Sequence, residues 1–258
     1  PAWAGLLLGL SVMLKGYAVV LLPAFAFFSF KKGGMRGLLG GAAVFTAVCA
    51  AISLAAVAVS PEEFFKSFSY HSGRGLEYNS IYSGALILMK SRGLADVGRS
   101  FDHGSWNLTG ASADALAAAS PIIMLAGLAV ATLFGWLLSR RSRPEEGVPG
   151  DGGYAAAVSW CAAVLIAFIV TFKVGSPQFL CWVAPFVVLL ALRKNTWPAV
   201  LLFALAGHAS IAVFPWLWES YVVRFLPQAA ALVVFERLCL LLLCVWLLWP
   251  EKSVAKEM

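Results

Sequence analysis

Long apolar stretches alternate with short basic clusters along this chain, and that alternation constrains its fold more than any other feature. The stretches lie at approximately 37–60, 119–139, 154–172, 178–192, 196–214 and 227–249. A helix needs roughly 20 predominantly apolar residues to cross a bilayer core of about 30 Å, and these segments meet or approach that length. Only 12% of the 258 residues are charged, and the mean hydropathy is +0.84. Soluble domains carry about a quarter charged residues, so a soluble fold is excluded. The expected architecture is all-α: a polytopic transmembrane helical bundle occupying 1–258 as a single domain.

The basic residues fix the topology. Lys31, Lys32 and Arg36 precede the first stretch, and Arg140, Arg141 and Arg143 follow the second. Arg193 and Lys194 follow the fourth, and Lys252 and Lys256 follow the last. If successive stretches cross in alternate directions, all four clusters share one face, which the positive-inside rule makes cytoplasmic. The Gly-, Pro- and charge-rich loop 140–153 belongs to that face. The pI near 9.2 therefore reflects membrane orientation, and no nucleic-acid partner is expected.

The opposite face receives segment 61–118 as an extracytoplasmic segment, together with short turns near 173–178 and 215–221. Phe64, Phe65 and Phe68 have the spacing of a helix lying in the interface. Trp216, Trp218 and Tyr221 suit an interfacial aromatic belt. Residues 2–30 as one helix would measure ~43 Å, too long for the core unless tilted; the break at Lys15-Gly16 predicts two short helices meeting there. The chain opens at Pro1 inside an apolar run with no initiator Met, so sequence is expected upstream. The expected location is a multi-pass protein of a bacterial inner membrane.

Ionisable residues at membrane depth carry the functional information. Lys15 either snorkels to an interface or points into a cavity towards an anionic head group. Lys173 opens Lys-Val-Gly-Ser-Pro-Gln, where Ser176, Pro177 and Gln178 break the helix into a hairpin carrying a cation and an amide. Residues 70–80 gather Tyr70, His71, Arg74, Glu77, Asn79 and Ser80 around two glycines. Arginine's planar fork binds phosphate oxygens in pairs, and Lys15, Arg74 and Lys173 together suit a lipid phosphate or pyrophosphate. His208 reads as a structural histidine facing other helices. Glu236 and Arg237, adjacent on one helix, do not face each other and read as packing residues. Asn107-Leu108-Thr109 fits the glycosylation pattern. The five cysteines (Cys49, Cys161, Cys181, Cys239, Cys244) lie in apolar stretches without metal-ligand spacing and read as small buried hydrophobes.

Three segments, in order, resemble the GT-C superfamily of polytopic glycosyltransferases. More narrowly, they resemble the polyprenyl-phosphate-dependent hexosyltransferases related to the GPI mannosyltransferase I catalytic subunit and its bacterial relatives. GLSVMLKGYAVVLLP (Gly9 to Pro23) is similar to that family's glycine-rich helix, Lys, aromatic and Leu-Pro pattern, with Tyr17 as the aromatic. SYHSGRGLEYNSIYSGAL (Ser69 to Leu86) resembles its Arg-Gly-Leu-Gln-x-Glu-Ser loop. TFKVGSPQFLCWVAPF (Thr171 to Phe186) is close to its Lys-Val-x-Ser-Pro-Gln-Tyr-x-x-Trp-x-x-Pro segment.

The resemblance implies inverting transfer of a hexose, mannose by the nearest likeness, from a polyprenyl-phosphate sugar to a lipid- or glycan-linked acceptor on the non-cytoplasmic face. Membrane lipids are the other partner. Lys15, Arg74, Lys173 and Gln178 match the motif positions for lipid-phosphate and sugar contact. Tyr17, His71, Glu77, Asn79, Ser80 and Ser176 complete the expected substrate-binding set, Ser176 chiefly by shaping the hairpin. The family's general base, a carboxylate in the first extracytoplasmic loop, would lie upstream of residue 1, leaving the catalytic residue unassigned. Two positions depart from the pattern: the family's Gln aligns with Glu77, and its Glu with Asn79. No cofactor is required, although a divalent cation is compatible with phosphate chemistry. A transporter or lipid-linked-sugar flippase is the alternative, since it too would hold cations at broken helices.

Overall fold

The computed structural model describes residues 1–141, 153–192 and 196–249. Arg143, Arg193, Lys194, Lys252, Lys256 and most of loop 140–153 lie outside the described residues. Among the described residues, five helical stretches are long and apolar enough to cross a membrane: Gly16–Val59, Ala111–Arg140, Tyr154–Thr171, Trp197–Arg224 and Pro227–Leu248. The all-α expectation matches what is seen, apart from one small sheet.

The N-terminal third turns twice. Helix α1 (Ala2–Leu14) ends at Lys15, whose φ of −155° and ψ of 104° are extended, and a 3-10 turn (Gly16–Leu21) follows. Helix α2 (Leu22–Val59) is not one straight rod, because Gly34 inside it has φ 58° and ψ −152°. Only glycine adopts such a backbone without a Cβ penalty. The chain folds back there: a Cβ on Gly37 would stand 2.7 Å from the Ser29 carbonyl oxygen, and one on Gly41 would stand 2.9 Å from the Phe25 ring. Lys31, Lys32 and Arg36 thus flank a hairpin tip. The second arm runs beside α1, where a Cβ on Gly5 would meet Gly41 O at 2.2 Å and one on Gly9 would meet Val48 at 3.0 Å. Small residues permit this backbone approach, as they do between membrane helices generally.

Between α2 and α5 (Ala111–Arg141), the chain forms helices α3 (Pro61–Ser72) and α4 (Ile81–Lys90) and three strands. Strands β1 (Leu76–Glu77), β2 (Gly98–Asp102) and β3 (Ser105–Thr109) pair antiparallel in the order β1-β3-β2. His103 and Gly104, at φ 48° and 69°, make the two-residue turn between β2 and β3, the left-handed pair that matches strand twist. Sequence reading gave this segment interfacial helices only. The sheet escaped it because β1 is two residues long.

Helix α6 (Tyr154–Thr171) is the buried centre, with Val158, Trp160 and the run Ala162–Val170 all enclosed. It packs against α5, α7 (Leu180–Ala191) and α10 (Pro227–Leu248), and α10 in turn packs on α4 and α8 (Trp197–Ile211). Gly135 lets α5 close on Trp160, whose Cδ1 a Cβ there would meet at 2.3 Å. The stretch expected to span at 178–192 is a 3-10 turn plus the 12-residue α7, about 18 Å long. It is too short to cross alone, because the turn joining it to α6 is drawn into the bundle. The stretch expected from 119 begins instead at Ala111.

Three smaller readings also change. His208 is exposed on α8, its Nδ1 2.7 Å from the Ala204 carbonyl of its own helix. Tyr221, in the short helix α9 (Trp218–Arg224), is fully buried rather than part of a belt. The cysteines are all free, but Cys181 is exposed.

Candidate functional site

The polar turn Phe172–Phe179 is where the three motif segments meet. Its Lys173 is buried, and its Nζ donates to the Arg74 carbonyl at 2.5 Å. The Glu77 amide returns a bond to the Lys173 carbonyl at 3.1 Å. Tyr82 Oη donates to the Thr171 carbonyl at 2.7 Å. Gly175 presses on the same loop, since a Cβ there would stand 2.2 Å from the Asn79 carbonyl oxygen. Only a glycine fits that junction. The first motif joins through α7: Tyr17 stacks on Trp182 with ring centroids 3.5 Å apart, and Lys15 Nζ lies 5.3 Å from the same ring. Phe179 stacks on Trp182 as well, at 4.2 Å.

Arg237 of α10 clamps the junction from within the bundle. It is 1% exposed, donates from Nη2 to the Asn79 carbonyl at 2.8 Å, and from Nη1 to Glu236 Oε1 at 2.8 Å. Adjacent residues on a helix ordinarily diverge, yet these two side chains curl into a buried ion pair. Arg237 lies ten residues below the start of α10, about 15 Å. The site is therefore recessed among helices rather than resting on their ends.

On the loop side, Arg74 Nη2 donates to Ser105 Oγ at 2.8 Å, and its guanidinium lies 5.8 Å from the Tyr70 ring. Asp102 closes the β2–β3 turn. It accepts from Ser100 Oγ at 2.9 Å and Asn107 Nδ2 at 2.8 Å, and His103 Nδ1 lies 3.0 Å away. The His103 contact, above all, holds the Asp102 carboxyl below its ordinary range. Burial pushes the Glu77 carboxyl up to about 7, against the opposing pull of Arg74, the Gly175 amide and Arg237. Burial, helped by the Arg74 charge, lowers the Lys173 ammonium from its ordinary value.

Residues 1–119 match the model of glycosyltransferase family 87. The family 87 match takes in α1, the Lys15 break, the Arg74 loop and the small sheet. It ends before Lys173 and Arg237. No curated protein and no solved structure matches the chain.

The expected site residues thus divide by position. Lys15, Tyr17, Arg74, Glu77, Asn79, Lys173 and Ser176 are brought together around the turn. Ser80 is buried and caps α4, its Oγ accepting from the Ser83 amide at 3.2 Å. Gln178 is exposed on the 3-10 turn. The His71 side chain lies outside the described residues. Among the described residues, no group of three or more His, Cys, Asp or Glu side chains is placed to hold a metal ion.

Sequence reasoning missed Arg237 and Asn107. An arginine deep in an apolar stretch was the available signal for the first, set aside because neighbours on one helix are not expected to face each other, so that Glu236 and Arg237 read as packing residues. Asn107 read as a glycosylation acceptor, but it is 1% exposed and its amide is spent on Asp102 and Ser105. In the folded chain that nitrogen cannot receive a glycan.

Proposed function

We propose that this chain is a GT-C-type membrane glycosyltransferase whose motif-bearing turn binds the sugar donor. It would move a hexose, mannose by resemblance, from a polyprenyl-phosphate carrier to a lipid- or glycan-linked acceptor on the face bearing 61–118. The observation that carries this reading is the convergence of three motifs, separated by up to 160 residues, on one recessed polar turn. The family 87 match over residues 1–119 supports it independently.

In such a transfer, an acceptor hydroxyl attacks the anomeric carbon as the bond to phosphate breaks on the opposite side, and the proton passes to a carboxylate. None of the described residues is assigned that proton. Negative charge develops on the departing phosphate and needs cations or donors, for which exposed Lys15 and Gln178 are the reachable groups. The basic hairpin at Lys31–Arg36 supports a cytoplasmic location for the other face.

The test uses radiolabelled polyprenyl-phosphate mannose added to membranes containing this protein. Label should move into an acceptor, and Lys173→Ala should reduce that transfer, because its ammonium ties Arg74 to the turn. Transfer unchanged by Lys173→Ala would sink the role given to the turn. Movement of intact donor across the bilayer without transfer would instead favour a flippase.

A further inference from the structure

Six buried side-chain polar atoms among the described residues have no hydrogen-bond partner, and four of them belong to one cluster. They are Arg74 Nε, Glu77 Oε2, Asn107 Oδ1 and Arg237 Nε. Chance scatter would not put them together, since buried polar groups are satisfied in the large majority of cases. Glu77 and Asn107 are directly paired across β1 and β3, so their side chains share a face of the sheet about 5 Å apart. Gly75 lets the Arg74 loop close on this face, because a Cβ there would stand only 3.1 Å from Asn107 Cβ. Arg74 lies three residues before Glu77 in the same loop, and Arg237 Nη2 reaches that loop at the Asn79 carbonyl, 2.8 Å away; both charges pull on the Glu77 carboxylate.

We infer that Arg74, Glu77, Asn107 and Arg237 form a subsite for the neutral pyranose ring, binding its vicinal hydroxyls, and not a subsite for the donor's phosphate. This rests on the glycosyltransferase reading above and assigns the sugar end of that donor. The chemistry of the four atoms decides between the alternatives. Two are donors and two are acceptors. A phosphate offers acceptors only, so Glu77 Oε2 and Asn107 Oδ1 would repel it. A hydroxyl both donates and accepts. Two neighbouring hydroxyls, each donating to one acceptor and accepting from one guanidinium N–H, satisfy all four atoms. The phosphate is then left to the exposed end of the site, near Lys15.

The deciding experiment measures equilibrium binding of two probes, farnesyl phosphate and farnesyl-phosphate mannose, to the purified full chain in nanodiscs. The two predictions for Glu77→Gln have opposite signs. At pH 8, above the Glu77 titration at about 7, a sugar subsite loses its ionised acceptor, so farnesyl-phosphate mannose should bind about 10-fold or more weakly while farnesyl phosphate is unchanged. A phosphate subsite would lose a repulsive charge, so both probes would bind more tightly; that result overturns the inference. Asn107→Leu should act in the same direction as Glu77→Gln. Unfolding midpoints of both variants separate a lost contact from a lost fold, and Glu77→Gln, isosteric with the wild type, keeps the test valid if Asn107→Leu unfolds. Wild-type protein that binds neither probe would overturn the donor-binding reading itself. Wild-type binding of both probes, unaltered by Glu77→Gln, would overturn the subsite alone.

Discussion

At the scale of single residues, Glu77 and Arg237 carry the most consequence. The folded environment raises the Glu77 carboxyl from an ordinary 4.5 to about 7, so the folded state holds its proton over a range where the unfolded chain has released it. The stability this contributes is fully present below pH 4.5 and is lost as pH rises through 7. Glu77→Gln removes that loss. At pH 8 the variant should therefore be more stable than the wild type by about 1–3 kcal/mol, with the gap closing by pH 4.5. Thermal unfolding in detergent, followed by a thiol-reactive dye on the buried Cys239 and Cys244, would read it; a variant less stable at pH 8 would contradict the assignment. Arg237 is the opposite case. Arg237→Met strands both Glu236 and the Asn79 carbonyl, and should cost about 3–5 kcal/mol. Adding Glu236→Gln should recover part of that loss, which a defect of shape alone would not allow.

Among elements, the turn between α6 and α7 does most to organise the site. Gly175 is its tightest point, so Gly175→Ala should force the Asn79 loop away and destabilise the fold by about 1–3 kcal/mol, while lowering hexose transfer more than Lys173→Ala does. Equal transfer by Gly175→Ala and the wild type would show that the contact is not needed. Much at this scale was legible in the sequence. The Lys15 break, the Lys173–Gln178 interruption and the long apolar stretches follow from polarity and helix length alone. The fold-back at Gly34 was not legible, since two helical arms around a single glycine carry the same pattern as one long helix. The short α7 was not legible either, because an apolar run does not reveal how far its ends sink into the bundle. The β2–β3 hairpin is local, but β1 joins it through pairing of Glu77 with Asn107, thirty residues apart, which local pattern does not encode. The clustering of four polar atoms inherits that dependence, so the sugar-facing half of the site was invisible while its motif residues were not.

For the whole molecule, the claims concern sidedness and the use of the recessed site. The second arm of α2, from Gly34 to Val59, is long enough to cross a bilayer core, so Lys32 and Lys66 should lie on opposite faces. In a cysteine-free background, an impermeant maleimide should label Lys66→Cys in intact cells and Lys32→Cys only after permeabilisation; the reverse order would invert the topology. The recess about 15 Å below the start of α10 explains why buried charges can persist in so apolar a chain. Arg237 is held by Glu236 and the Asn79 carbonyl, and Lys173 by the Arg74 carbonyl, away from lipid. The most direct measurement is photolabelling with a polyprenyl-phosphate hexose carrying a diazirine on the sugar, followed by peptide mapping. Labelling should fall on both the 74–79 and the 173–178 peptides, and Glu77→Gln should reduce it at each. Labelling confined to the apolar helices, or unaffected by Glu77→Gln, would contradict a sugar-holding site where the three motifs meet.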